Sequence, residues 1–238
     1  MSQNLHKYFY KDYYSNINWE DIDDIIIKEN NSHFTRPNLL YTNEVEGLYT
    51  YVIPLKIQYP GLVTGVGINH ETTLIEGEFK LGLHFDWTFG MPVIYGSSVK
   101  GVLRSYFEDF YCPKADQPPM KELFNDIFDG GAKSIYHRDI FFDAVIVKAD
   151  KKKRILCADS ITPHGDNPLK NPIPLPFLKI APGCIIEFRF KLVDTKIVKD
   201  GHPLIFTVQD KLDLFKEILT TVGIGAKTNV GYGQLKPV

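Results

Sequence analysis

The chain has 238 residues, with 27 Lys and Arg against 29 Asp and Glu, and a formal net charge of −2 at pH 7. This balance excludes a protein that coats nucleic acid by bulk charge, although it leaves room for a local basic groove. With 44% hydrophobic and 13% aromatic residues, the chain can bury a sizeable core and is not a disordered protein.

The cysteines and the apolar segments exclude further classes. Cys112, Cys157 and Cys184 lie far apart, are odd in number and form no CxxC pair, so no disulfide framework is expected. We find neither a secretory leader after Met1 nor an apolar run of membrane-spanning length. Histidines are scattered without the spacing of a zinc site. We therefore expect a cytoplasmic protein without a metal ion or another cofactor.

Charge is distributed unevenly along the chain. Residues 1–47 hold eight of the 29 acidic residues and four of the 27 basic ones, which leaves 23 bases against 21 acids in the rest. We predict an acidic, solvated or partner-facing extension over 1–47. One short helix is expected in it, opening near Asn18 and closing around Asn30, because Ile22, Ile25 and Ile26 repeat at helical spacing.

Residues 48–238 are predicted to form one domain, with insertions at about 112–134 and 162–182. The predicted elements in chain order are a strand over 48–58, a strand or hairpin arm over 72–85, a helix over 97–110, a short helix around 121–128, strands over 135–147 and 155–161 that pair as a hairpin, a proline-rich loop over 162–182, a strand over 183–193 and a helix over 208–222. This order is the split β-α-β pattern of an α+β, ferredoxin-like (RRM-like) fold. Its antiparallel sheet carries two main helices on one face and leaves the other face open to a ligand.

Two glycine-flanked segments are candidates for binding an anion. The sequence GIGAKTNVGYG over 223–233 combines flexible backbone with Lys227 and Thr228, but it lacks the order of a phosphate-binding P-loop. It is either a turn into a final strand or a site for RNA backbone or a neighbouring subunit. In the second segment, Gly96 precedes a helix that Ser97 or Ser98 is expected to cap, with Lys100 and Arg104 further along. Plain capping with solvated bases is the alternative.

Other polar residues have side chains that could act in catalysis, but their arrangement fits no catalytic site well. Asp159, Ser160 and His164 suggest a hydrolase triad, yet no nucleophile elbow is present and neighbouring residues of a strand point to opposite faces. We expect His164 to contact RNA or to cap a turn. The run Lys151–Arg154 is either a solvated turn or a phosphate contact. The carboxylates considered as general bases or metal ligands are Asp86, Asp139 and Asp143, of which Asp143 is expected to be structural.

The motifs together resemble those of the RAMP proteins of CRISPR–Cas systems. The stretch from Phe85-Asp86 through Gly90-Met91-Pro92 to Gly96–Arg104 is similar to the GSS-x-KG-x-x-R signature of that family, and residues 223–233 resemble its glycine-rich loop. Three further stretches narrow the resemblance to the sixth Cmr subunits of type III-B effector complexes: Asp143-Ala144, Asp159–His164 and Pro174–Leu178.

This resemblance implies a non-catalytic, RNA-binding structural subunit that acts in antiviral defence and holds guide RNA near its 3′ end. The implied partners are guide CRISPR RNA, target RNA and other RAMP subunits, with no membrane. Two alternatives are a RAMP-type endoribonuclease that uses His164 or His70 as a general base near Lys227, and a metal-dependent subunit that slices target RNA with an Asp.

We further predict that Lys100, Arg104 and Lys227 share a phosphate-binding surface, assisted by the N–H groups of Gly225 and Gly231. The full predicted RNA-binding set is Ser97, Ser98, Lys100, Arg104, His164, Gly225, Lys227, Thr228, Asn229, Gly231 and Tyr232.

Overall fold

The structure, a computed structural model, describes residues 4–37, 47–64, 75, 77–79, 83–130, 133–162 and 174–238. Its α-helices are α1 (Leu5–Tyr10), α2 (Asp24–Thr35), α3 (Gly96–Phe110), α4 (Met120–Phe124) and α5 (Val208–Val222). Its strands are β1 (Tyr51–Ile57), β2 (Val93–Ile94), β3 (Ile140–Phe141), β4 (Ala144–Lys148), β5 (Leu156–Ile161), β6 (Leu175–Ile180), β7 (Ile185–Lys191), β8 (Thr195–Lys199), β9 (His202–Phe206) and β10 (Leu235–Pro237). The fold is therefore a mixture of helices and sheet.

The main sheet is antiparallel and has the order β10-β1-β7-β4-β2, with β3 also paired to β7. Alternate residues of β1, Ile53, Leu55 and Ile57, are buried in the same core as Leu103 of α3 and Phe215 of α5. Strand residues alternate between the two faces of a sheet. The two long helices therefore cover one face of the sheet, and the intervening residues of β1 lie on the other.

Both long helices follow from their sequences. In α3, Val99, Leu103 and Phe107 are spaced four apart and are fully buried. In α5, the hydroxyl of Thr207 accepts from the N–H of Asp210, whose carboxylate accepts from the Thr207 N–H, which forms a capping box. The two helices pack against each other, as predicted.

The N-terminal segment contributes to the core rather than lying in solvent. Leu5, Phe9 and Phe34 are buried in the same cluster as the sheet residues, and the predicted helix begins at Asp24, with Asp23 as its N-cap, instead of near Asn18. The expectation of a solvated or partner-facing extension was wrong for Leu5, Phe9 and Phe34. Burial of these three large apolar side chains stabilises the segment against the core more than hydration of the neighbouring charges favours its exposure.

The predicted hairpin between residues 135–147 and 155–161 was also wrong. Strand β4 pairs with β2 and β7, whereas β5 pairs with β6. Strand β6 lies inside the segment predicted as a proline-rich loop. Pro176 pairs opposite Ser160 of β5, and no other described strand pairs with β6 at this position, so a residue that lacks an N–H donor is tolerated.

Strands β8 and β9 form a hairpin for which no element was predicted. Asp200 and Gly201, with φ of 51° and 78°, connect the opposite residues Lys199 and His202. An Asp-Gly pair is the sequence signal that favours this turn. Within the described residues, no helix has the length and apolar character needed to cross a bilayer.

Candidate functional site

The glycine-rich loop over 223–233 is held by close backbone contacts. Gly223, Gly225, Gly231 and Gly233 all have positive φ. A Cβ on Gly233 would lie 1.9 Å from the Ile224 carbonyl oxygen, and one on Gly225 would lie 2.3 Å from that of Val63. Only glycine allows such an approach. The loop is thus shaped by its packing against its own backbone and against residues 61–63.

Hydrogen bonds fix the same loop from two sides. The Ala226 N–H donates to the Val63 carbonyl and the Gly233 N–H donates to that of Gly61, both at 2.8 Å. The Gly231 N–H donates to the Thr228 carbonyl at 3.1 Å. The expectation that this N–H is available to a phosphate is therefore wrong, because an internal turn already uses it.

Lys227 directly precedes that turn, as the N-cap of the helical turn Thr228–Val230. It has a φ of 60°, in the left-handed region, and its carbonyl accepts from the N–H groups of Val230 and Tyr232. The Lys227 side chain is half-buried, as is Thr228, while Gly225 and Asn229 are exposed. The turn therefore holds Lys227 in one backbone conformation at the surface of the loop.

A polar cluster ties the glycine loop to the β5–β6 hairpin. Asp159 of β5 forms an ion pair with Lys179 of β6 and accepts a 2.7 Å hydrogen bond from the hydroxyl of Tyr232. Burial alone would raise the pKa of Asp159, but hydrogen bonds from Lys179, Tyr232 and the Ser160 N–H lower it below its usual value. Burial, followed by the bond to Asp159, raises the pKa of Tyr232 to about 12. Asp159 and Tyr232 thus serve as a structural joint.

The N-terminus of α3 is satisfied from within the chain. Its N-cap is Tyr95 and no side chain of Ser97 or Ser98 caps it. Instead the Gly96 N–H donates to Asp143 Oδ1 at 2.7 Å. The prediction that Ser97 or Ser98 caps the helix was therefore wrong. A carboxylate from the β3–β4 connection binds the start of the helix instead, because it interacts favourably with the positive end of the helix dipole. Ser97 and Ser98 remain exposed.

The two bases of α3 differ in their surroundings. Arg104 forms a 2.7 Å ion pair with Asp129, and its guanidinium lies 5.0 Å from the centre of the Phe124 ring. Lys100 is half-buried and has no hydrogen bond or ion pair within the part of the chain that the structure describes. Lys100 is therefore better suited than Arg104 to meet an external anion.

The carboxylates considered for catalysis all have structural partners. Asp139 is buried against Lys211, Asp143 binds the start of α3, and Asp86 accepts from the N–H groups of Thr88 and Phe89. Asp143 thus has the structural role expected for it. His164 and His70 lie outside the described residues. Among those described, no three His, Cys, Asp or Glu side chains gather as a metal site would require.

Sequence reasoning missed the grouping of bases at one end of the sheet. Lys151, Lys152 and Arg154, from the turn after β4, meet Lys56 of β1 and Lys236 of β10 around a groove of about 350 Å³. We call it the basic groove. Lys236 was not singled out because only strand pairing brings it beside Lys56.

Sequence comparison identifies the class: residues 54–236 match the RAMP superfamily, and the chain belongs to it. One relative is the CRISPR system Cmr subunit Cmr6 of Saccharolobus solfataricus, 31% identical over 170 residues. The match covers 69% of this chain, which spans about half (51%) of the relative's length. The resemblance seen in the motifs is confirmed.

Two solved structures complete the comparison. The fold is similar to a chain in the cryo-EM structure of the type III-B Cmr-beta complex bound to cognate target RNA, with a TM-score of 0.59 and 21% identity over 94% of this chain and 78% of that chain. The crystal structure of Cmr6 from Pyrococcus furiosus matches with a TM-score of 0.39 and 21% identity, over 82% of this chain and 100% of that one.

Proposed function

We propose that this chain is a non-catalytic, RNA-binding structural subunit of a type III-B CRISPR effector complex, and that it holds guide RNA near the 3′ end. The observation that carries the proposal is the 31% identity to a Cmr6 subunit. The order β10-β1-β7-β4, with α3 and α5 on one face, supports a ferredoxin-like core with an open face. The implied partners are guide and target RNA and other RAMP subunits.

Lys227 and Lys100 are the bases of the predicted site that best fit phosphate binding. Neither has an ion-pair partner among the described residues, whereas Asp129 already balances the charge of Arg104. The rigid glycine loop supports this role, because a preorganised backbone loses little conformational freedom on binding. Phosphate contacts give affinity without reading sequence.

Guide retention by the assembled complex tests the RNA-binding part of the proposal. We expect a Lys100→Ala/Lys227→Ala variant to retain less guide RNA, with unchanged sequence preference, when bound RNA is quantified and sequenced after purification of the complex. Lys196→Ala/Lys199→Ala, on exposed positions of β8, is the matched control. Equal retention by both variants would leave the glycine loop as a structural turn only.

The proposal that the subunit is non-catalytic rests on the candidate carboxylates. Asp86, Asp139 and Asp143 all make structural contacts within the chain. Purified protein is incubated with guide precursor and with target RNA, with and without Mg²⁺. We expect intact RNA in every case. Cleavage that survives repurification and disappears in His164→Ala would instead support the endoribonuclease alternative.

A further inference from the structure

Two lysines of the basic groove lie side by side on the open face of the sheet, and Lys148, outside the groove, lies in line with them. Lys236 of β10 lies directly opposite Lys56 of β1, Lys56 lies opposite Ile185 of β7, and Ile185 pairs on its other side with Lys148 of β4. Facing side chains in such pairs are about 5 Å apart, and like charges placed directly opposite destabilise a sheet. The Lys56–Lys236 pair therefore costs folding energy that a bound anion would recover.

The acid that lines the groove does not neutralise these lysines. Both oxygens of Asp150 are engaged: Oδ2 accepts from Arg154 at 2.9 and 3.1 Å, and Oδ1 accepts from the N–H groups of Lys152 and Arg154. Burial alone would raise the pKa of Asp150, but these bonds lower it, so it remains an anion paired with Arg154. Lys56, Lys151, Lys152 and Lys236 have no ion pair with another described residue.

An aromatic ring and an amide lie beside this positive charge. Tyr59, which also lines the groove, is 85% exposed. Gln58 lines the groove too, and its side-chain Nε2 is buried without a hydrogen-bond partner in the described part of the chain. The backbone here is well held, since the Gln58 N–H donates to the Gln234 carbonyl and Gly61 accepts from Gly233 of the glycine loop.

These features match the requirements of a single-stranded nucleic acid. A positive groove follows the phosphodiester backbone, and an exposed aromatic side chain stacks on an unpaired base. A small anion would use the lysines but would leave the Tyr59 ring without a partner. The contacts between residues 58–61 and residues 233–234 place the groove beside the loop that carries Lys227.

We propose that the basic groove binds the phosphodiester backbone of single-stranded RNA, with Tyr59 stacked on a base. This inference rests on the proposed function as an RNA-binding subunit. It adds a second contact surface at the end of the sheet where β1 pairs with β10, distinct from Lys100 and Lys227. RNA leaving the glycine loop would then continue onto the open face of the sheet.

The charge of the groove is tested with a Lys56→Gln/Lys236→Gln variant of the full chain. Binding of a fluorescein-labelled single-stranded oligouridylate is followed by anisotropy over a range of salt concentrations. We expect affinity at low salt to fall about ten-fold and the slope of log affinity against log salt to decrease by about 1.4. The control variant Lys196→Gln/Lys199→Gln, with the same loss of charge on β8, should retain the wild-type slope. Equal effects in both variants would overturn the proposal.

Folding and ligand type are checked by separate measurements. Because the variant removes a like-charge pair, its Tm should equal or exceed that of the wild type. Tyr59→Ala should weaken oligouridylate binding but leave binding of inorganic tripolyphosphate unchanged, while Tyr59→Phe should bind RNA normally. An unchanged RNA affinity in Tyr59→Ala would overturn the stacking role and leave a general polyanion site.

The same experiments distinguish failure of the groove from failure of the proposed function. If Lys100→Ala/Lys227→Ala lowers RNA retention in the assembled complex and Lys56→Gln/Lys236→Gln does not, the groove proposal fails and the proposed function stands. If the wild-type protein binds no RNA either alone or in the assembled complex, the proposed function fails with it.

Discussion

Asp159 shows how one carboxylate can join two separate parts of the chain. It accepts from Tyr232 at the end of the glycine loop and pairs with Lys179 on the neighbouring strand. The Lys179 ammonium also lies 5.5 Å from the centre of the Tyr232 ring. Because the three side chains share contacts, removing one of them is expected to affect the other two.

Removal of the Tyr232 hydroxyl should weaken this joint in a pH-dependent way. We expect Tyr232→Phe to lower the free energy of unfolding by about 1 kcal/mol at pH 7, since a partly buried hydrogen bond to a charged group is lost. The folded-state pKa of Asp159 is depressed, so its contribution is present above the ordinary Asp value of about 3.9 and is lost as pH falls through the depressed value. Urea titrations should therefore show the difference shrinking in acid, and Tyr106→Phe on an exposed part of α3 should show none.

Two glycines offer a matched comparison of backbone requirements. Gly233 has a φ of 71° and leaves no room for a Cβ, whereas Gly101 on the exposed side of α3 has nothing within 4 Å of that position. We expect Gly233→Ala to destabilise the protein by about 2 kcal/mol or more, and Gly101→Ala to stabilise it by about 0.5–1 kcal/mol. Thermal unfolding of both variants checks the signs. A stable Gly233→Ala protein would contradict the described loop geometry.

At the scale of elements, a buried ion pair attaches α5 to two segments, the one that directly precedes β3 and the one that follows β7. Lys211 is fully buried, and Asp139 is 1% exposed; their charged atoms are 2.6 Å apart. Lys211 also donates to the Val193 carbonyl, and Asp139 accepts from the Val193 N–H. Burial raises the pKa of Asp139 and lowers that of Lys211, while the mutual attraction opposes both shifts. Each group depends on the other to remain charged.

Breaking this pair should have a large effect of predictable sign. We expect Lys211→Met to cost about 3–5 kcal/mol at neutral pH, because it leaves a buried carboxylate uncompensated. The Asp139 pKa should then rise further, so stability is present at low pH and lost as pH increases through that raised value. Lys216→Met, at an exposed position of the same helix, is the control. A pH-independent loss in Lys211→Met would show that Asp139 does not titrate as described.

The elements differ in how far the sequence predicts them. Helices α3 and α5 are encoded locally, by apolar residues at 3/4 spacing and by the Thr207–Asp210 box, and their positions were predicted closely. Pairing between distant strands has no such local signal. Strand β4 pairs with β2 and β7 rather than with β5, the next strand in sequence, and contacts between residues far apart along the chain leave no local pattern.

The candidate site divides in the same way. Residue types at the glycine loop and at α3 were visible in the sequence, and the positive φ values of the glycines agree with the backbone freedom expected there. The partners of Arg104 and Gly96 were not visible, since Asp129 and Asp143 are distant in sequence. The Lys56–Lys236 pair likewise depends on the register of β1 and β10. The RNA-binding set as a whole stays a prediction.

For the whole molecule, the net charge of −2 sets an expectation for affinity. We expect the isolated protein to bind short RNA weakly and in a salt-sensitive manner, because few phosphates are neutralised. Neighbouring subunits would add contacts and raise the effective concentration, so tight binding should require the assembled complex. Anisotropy titrations with and without partner subunits measure this difference. Nanomolar binding by the isolated protein at physiological salt would contradict it.

The pairing of β1 with β10 also determines when Lys56 and Lys236 can come together during synthesis. Leu55 faces Pro237 and Lys56 faces Lys236, so the first strand of the main sheet remains half-paired until the last strand has left the ribosome. The glycine loop, which is fixed by residues 61 and 63, ends at Gly233 and can be completed only shortly before β10. A nascent chain that already contains α3 and α5 therefore lacks the joined lysines and the ordered loop. The proposed basic groove would therefore form only after residues 235–237 have emerged from the ribosome.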